Sequence, residues 1–465
     1  MKKARVGLFC IGLNTYWEQF DGLKCLVEEN YNKIYERMPD SVDCVSAGLV
    51  DSFEKAQNAG RLFGEQQVDL VFCYSATYSP SSNVLPVFQK LDVPVIVLNL
   101  QPRQSENFGQ LKEIGQWLGT LSCAAAPEVT AVLLKKGLKF SVVTGSIQDE
   151  QVTDEIEQWC RVANVRANLN DCKLGLIGHA YPGMMDLYVD ETKIYNEMGV
   201  FTEFVELHQI KNELETVSEE AITYFKNMIL ERFELDVDEN APEFVNLCRS
   251  CAAVWKFTQE KRLDAIAMHY AGETEGEYQP IVGPMNIIFS LLMAMDIPCC
   301  VEGDIKTTIA MLILKVISQC CATAELYGMD LDDDICLIGH SGSSDFALSD
   351  KKPVLKESEV FHGKSGKGYL TQFFVKEGEV TLLALSEDDK GNYRMITAVG
   401  RSEDGDILML GDTNTRVRFS MPIREFINKW CNAGPSHHFA LTVGNYVDLI
   451  KKTGYMCGLD VIEIA

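Results

Sequence analysis

Positive charge is scarce in this chain. Its 465 residues hold 42 lysines and arginines against 67 aspartates and glutamates, a formal net charge of −25. A surface that acidic repels phosphate backbones and anionic lipid, which argues against nucleic acid or a membrane surface as partner. Long apolar runs are absent too, and no segment approaches the length that spans a bilayer. In "MKKARVGLFCIGLN" two lysines precede an apolar run, but Gly12 and Asn14 break it and no small-residue cleavage site follows. It reads as a first β-strand, not a secretory signal. The glycine spacings of nucleotide loops are missing. "GLFCIGLN" is not G-x-G-x-x-G and no P-loop lysine motif occurs, so a nucleotide cofactor has no support. Histidines number only seven, few enough to weigh each by its context.

Cysteine, by contrast, is plentiful, with sixteen residues. Many sit inside apolar stretches (Cys10, Cys73, Cys172, Cys336), the pattern of buried reduced thiols in a cytoplasmic protein and not of a disulfide framework. The single C-x-x-C, Cys248 and Cys251, has no second pair at zinc-finger spacing and falls on one face of a helical stretch.

At this length several domains are expected. The first part alternates short continuous apolar strands ("ARVGLFCIG", "VDLVFCYSA", "VPVIVLNLQ", "KFSVVTGS") with amphipathic helical spacing, which predicts a parallel sheet covered on both faces over residues 1–171. A second βα series starts at "KLGLIGHAYPGMMD" and runs through "LDAIAMH" to "IPCCVEG", giving a second doubly wound domain over 172–328. From 329 to 465, short segments such as "DICLIGHSG", "EVTLLALSED", "NYRMITAVG", "DILMLGD" and "TRVRFSM" alternate with turn residues. They predict an antiparallel barrel or sandwich with late helices. The fold class is therefore α/β: two Rossmann-like parallel-sheet domains followed by a β-rich one. Open parallel sheets bind ligands outside the carboxyl ends of their strands. The strand-end residues Asn14, Tyr78, His179 and Met184 are the expected substrate contacts.

"CCVEGDIKTTIAML" (299–312) ends a buried strand on Glu302, Gly303 and Asp304, a costly place for charge unless it is used. A strand-end carboxylate, a second carboxylate and two imidazoles would suit a divalent cation with mixed oxygen and nitrogen ligands, and Mn²⁺ fits an open site of that kind. The plainer readings are that Glu302 serves the following helix dipole and that His340, in "ICLIGHSG", is a core histidine. Asp304 reads as a helix cap. His208, His269 and His362 read as surface or structural histidines. His437 and His438 adjoin in "AGPSHHFAL"; in a strand they would point to opposite faces, so at most one would enter a site.

"VEGDIKTTIAML" resembles the Glu-Gly-Asp-x-Lys-Thr segment of the L-arabinose isomerases. "GPSHHF" is similar to their Gly-Gly-Ala-His-His-Thr, and "TAELYGMDLDDDICLIGHSG" resembles a stretch that carries an acidic ligand and then a histidine in the arabinose and fucose isomerases. Motif order and domain layout agree along the whole chain. The resemblance implies a Mn²⁺-dependent aldose–ketose isomerase acting on a pentose or deoxyhexose. It implies Glu302, Glu325, His340 and His438 as metal ligands, with Glu302 and Glu325 catalytic in a C1–C2 proton transfer. One of Asp330, Asp332, Asp333 or Asp334 is the alternative to Glu325. It further implies a homo-oligomer, a trimer or hexamer, with the apolar loops "CYSATYSP" and "TLSCAAAPEV" in need of cover. Two departures bear on the substrate: Ala76 and Ser82 stand where those enzymes have histidine and lysine, and Cys123 with its alanines replaces another histidine. A non-catalytic sugar-binding relative and a metal-dependent hydrolase or lyase are the rival readings.

Overall fold

The apolar runs of the first third become the parallel strands β1 (Arg5–Ile11), β2 (Asp43–Val50), β3 (Leu70–Ser75), β4 (Val95–Gln101) and β5 (Phe140–Ser146), in the order β2-β1-β3-β4-β5. In this computed structural model the described residues are 1–270, 276–340, 342–359, 367–410 and 412–465; His362 lies outside them. The chain forms two compact units, Met1–Asn168 and Leu169–Ala465. In the first, β3 is buried throughout, as a sheet with helices on both faces requires. Phe9 packs against Phe63 and Phe88 in its core. The loop "CYSATYSP" is largely buried within this unit, and most of "TLSCAAAPEV" lies in the helix Ser122–Lys136. Neither segment is an apolar loop left wanting cover.

The second unit holds two sheets. One is parallel: β6 (Lys173–Gly178), β7 (Phe201–Val205), β9 (Ala265–His269) and β10 (Cys299–Val301), ordered β10-β9-β6-β7. The other is mostly antiparallel. It takes β8 (Glu234–Asp236) from the middle of the chain and then β11 (Ala322–Asp330), β12 (Ile335–His340), β13 (Val354–Glu359), β14 (Lys367–Phe374), β15 (Gly378–Glu387), β16 (Tyr393–Glu403), β17 (Thr413–Phe419), β18 (Phe439–Val443) and β19 (Asp460–Ile464). Six of these strands close on themselves: β16-β15-β18-β11-β12-β17, with β17 returning to β16, every pairing antiparallel. The β-rich part is thus a small barrel. Alternate residues fill it, among them Ala322 and Ala324, Cys336 and Ile338, Leu382 and Ala384, Phe439 and Leu441. That is the period-2 alternation closure demands.

Strand β11 belongs to the barrel and runs through residue 328. "DILMLGD" is not a strand: residues 406–410 are loop, with Met409 and Leu410 mostly exposed. Cys248 and Cys251 are buried side by side on the helix Pro242–Lys261, as core thiols. All sixteen cysteines are free. Among the described residues no helix is long and apolar enough to cross a membrane.

Candidate functional site

The barrel strand β11 meets the parallel strand β10 through side chains. Thr323 faces outward, away from the filled barrel, and its hydroxyl donates to the Cys300 thiol at 3.2 Å. Two residues further on each chain come Glu325 and Glu302. Glu325 shares the outward face of Thr323, and the turn after β10 brings Glu302 close enough for the two carboxylates to interact electrostatically. The register Ala324↔Phe439 between β11 and β18, continued by one residue, sets Glu325 against His438. Gly339 pairs Glu325 from the other side and His340 follows it as the last residue of β12. One rim of the barrel and one end of the parallel sheet therefore gather all four residues.

The chain turns sharply there. Glu302 adopts φ +62° and Gly303 +69°. A non-glycine residue in the left-handed region is uncommon, and here it breaks the strand direction directly after Val301. Glycine at 303 is obligatory on a second count: a Cβ would strike the backbone of His179 and Ala180. This turn stands Glu302 in the pocket and then starts the helix Ile305–Ser318, which Asp304 caps. One Asp304 oxygen accepts from the Thr307 N–H at 2.9 Å. The other lies 3.1 Å from His438 Nδ1.

That second contact fixes the site. Asp304 is fully buried and His438 nearly so, and the carboxylate beside Nδ1 turns Nε2 inward, as for metal-binding histidines. His438 Nε2 lies 3.1 Å from His340 Nε2 and 3.6 Å from Glu302 Oε2. Glu302 Oε2 is buried without a hydrogen-bond partner, an expensive condition for a carboxylate. His437, Glu302 and His438 each bring a donor atom within 4.8 Å of the others. His437 is held from outside by Asp186, whose Oδ2 accepts from its N–H at 3.0 Å and lies 2.6 Å from its Nδ1.

The electrostatics follow the packing. Burial disfavours charge on His438, but the bond to Asp304 and the charges of Asp304, Glu302 and Glu325 outweigh it and lift its pKa above the ordinary 6.5. Burial also works against the Asp304 anion, yet the His438 bond and charge hold its pKa below the usual carboxylate value. Glu325 moves the other way. Burial, with Glu302 and Asp412 adding to it, raises its pKa despite both histidines. Burial beside other carboxylates thus favours the protonated form of Glu325.

The donor set fits a divalent cation. It offers an orphaned carboxylate oxygen and two imidazole nitrogens turned toward each other. With bonds of about 2.1 Å, donors at right angles around one ion stand about 3.0 Å apart, close to the His340–His438 separation. Glu302, His438 and His340 would hold it, with His437 or Glu325 completing the set.

The structure changes the reading of the histidine pair and places the remaining candidates. The His437–His438 pair precedes β18 and does not lie in it, so strand alternation does not apply and both rings face the same cluster. Their centroids are 3.9 Å apart. Asp304 is more than a cap. His269 is buried at the end of β9, against the His179 and Tyr181 rings. His179 and Met184 lie in the loop after β6, which reaches the site: Tyr181 N–H donates to Glu302 O and Ser436 Oγ to Asp186 O. Asn14 and Tyr78 lie at strand ends of the first unit, where the Tyr78 hydroxyl bonds Glu128. The aspartates from 330 make the β11–β12 turn. Asp330 accepts from the N–H groups of Asp332 and Asp333, Asp333 pairs with Arg416 and Asp334 accepts from Ile423 N–H.

No family model matches the chain. It is 21% identical over 415 residues to two curated proteins, the sulfoquinovose isomerases of Priestia aryabhattai and Priestia megaterium, a span that covers 89% of this chain and 89% of each of theirs. The chain is similar, along nearly its whole length, to sugar isomerases.

Proposed function

We propose that this protein is a metal-dependent aldose–ketose isomerase working on a pentose or deoxyhexose such as L-arabinose or L-fucose. Glu302, Glu325, His340 and His438 are its proposed ligand set, and Mn²⁺ its proposed ion. The observation that carries this reading is the buried Oε2 of Glu302, without a hydrogen-bond partner, 3.6 Å from His438 Nε2, which itself lies 3.1 Å from His340 Nε2. The similarity to sugar isomerases supports it.

A bound divalent ion would act as a Lewis acid toward the C1 and C2 oxygens of an open-chain sugar. The residues do the rest. Glu302, whose Oε2 is buried without a hydrogen-bond partner, is the proposed base for the C2 proton. Glu325, with its raised pKa, protonates O1 as Glu302 takes the C2 proton, giving the enediol; Glu302 then delivers its proton to C1 while Glu325 takes back the O2 proton, restoring both groups. Asp304 holds the His438 ring so that Nε2 stays inward. His179 and Met184 are the proposed sugar contacts of the second unit, and Asn14 and Tyr78 are proposed, separately, in the first. The protein works in the cytoplasm, consistent with sixteen free thiols, and as a homo-oligomer, a trimer or hexamer, which sedimentation would measure.

The test is to incubate purified protein with a panel of pentoses and deoxyhexoses, with and without Mn²⁺, and follow ketose formation. Ketose that appears only with the ion is expected. Sugar binding without turnover would favour the non-catalytic relative, and cleavage products the hydrolase or lyase.

A further inference from the structure

A cavity of about 310 Å³ opens at the carboxyl ends of β6, β7 and β9, at the small end of the ligand-pocket range of roughly 300–1,000 Å³. His179, Glu206 and Tyr270 line it, and each lies just beyond the end of its strand. Leu207, His208 and Tyr278 complete the wall. Strand β10, which ends at Val301 just before Glu302, pairs with β9, and β9 pairs with β6. The cavity therefore starts one to two strand spacings from Glu302, about 5–10 Å, the length of an open-chain sugar.

The wall is rich in acceptors. His179 Nδ1 lies 2.7 Å from the carbonyl oxygen of Ala180. A carbonyl only accepts, so Nδ1 carries a proton, and the tautomer protonated there presents Nε2 as an acceptor. Glu206 is a carboxylate that caps its own helix with Gln209. Tyr270 and Tyr278 meet edge to face at 5.6 Å. No lysine or arginine lines the cavity among the described residues. Lys211, whose ammonium lies 5.8 Å from the Tyr278 ring centroid, is paired with Glu277. Hydroxyl groups can donate to such a wall. A sulfonate, which is anionic and only accepts, cannot, and Glu206 repels it.

We infer that this cavity takes the hydroxyl-bearing far end of a neutral sugar and rejects one that carries a sulfonate. This rests on the isomerase reading for its link to Glu302, and it separates this chain from relatives named for sulfoquinovose. Calorimetric titration of the whole protein, with and without Mn²⁺, tests it. The probes are neutral pentitols and 6-deoxyhexitols, against the alditol obtained by reducing sulfoquinovose. The best neutral alditol is expected to bind at least tenfold tighter than the sulfonated one. His179→Ala is expected to weaken it at least tenfold while Mn²⁺ uptake and the melting temperature hold. Tighter binding of the sulfonated alditol, no neutral binding, or binding indifferent to His179→Ala would each overturn the inference. Neutral alditol binding without turnover of any aldose would instead reject the isomerase reading and leave the selectivity standing.

Discussion

The two parallel sheets share an architecture and differ at their ends. In the first unit the strands lead to Gly12, Ala76 and Ile147, with Asn14 and Tyr78 a few residues on. In the second they lead to His179, Tyr270 and Glu302, and a barrel rim adds Glu325, His340 and His438. Both sheets obey the same packing rules, so the layers alone do not mark a site; the proposed one rests on which side chains stand beyond the strands and whether a second element brings partners to them.

The sharpest way to break this comparison is to remove the base. Glu302→Gln keeps size and a neutral oxygen but cannot take a proton. At saturating Mn²⁺ we expect turnover to fall at least ~10²-fold, within the usual ~10²–10⁴ for general acid–base catalysis, with an unchanged circular dichroism spectrum. Glu325→Gln should behave alike, whereas Asp332→Asn in the turn should not.

Next comes Asp304→Asn. A cap alone would cost about 1 kcal/mol of stability and leave metal binding intact. Because Asp304 also holds His438, we expect Mn²⁺ affinity to drop roughly 10–100-fold, the usual cost of losing such a partner. Parallel titrations and melts separate the two roles.

The third effect is a pH dependence. His438 has a raised pKa in the metal-free fold, so its proton competes with the ion. Affinity should decline by up to about tenfold per pH unit below that raised value. Stability of the metal-free protein runs the other way. The His438–Asp304 bond contributes fully below the ordinary histidine value of 6.5 and is lost as pH rises through the raised one. Asp304, with a lowered pKa, withdraws its share only in acid. The melting temperature of metal-free protein should therefore fall as pH rises above 6.5 and through the raised His438 value, a trend absent in His438→Phe.

The smallest effect is the control from the other sheet. Asn14→Ala and Tyr78→Phe should leave Mn²⁺ affinity within about twofold, the scale of a surface change. A large loss would mean the first unit shares the ion.

Much of this was legible because it is local. A buried strand ending on Glu302, an apolar run ending on His340 and a Gly-Pro turn before two histidines are patterns a few residues long. The layer order follows from strand and helix periodicity. What escaped depends on distant pairings. Asp186 clips His437 across 251 residues, and Asp304 reaches His438 across 134. A neighbour in sequence does not reveal either bond. β8 is three residues long and pairs with β13, too little pattern to read. "DILMLGD" misled because alternating apolar residues can also line an exposed loop.

The most direct test of the central claim is a Mn²⁺ titration followed by electron paramagnetic resonance on the wild type, His438→Ala and Glu302→Gln. The account predicts one tightly held ion per chain in the wild type, a strong loss of affinity in His438→Ala and a weaker loss in Glu302→Gln. Tight binding that survives both substitutions would place the ion elsewhere and contradict it.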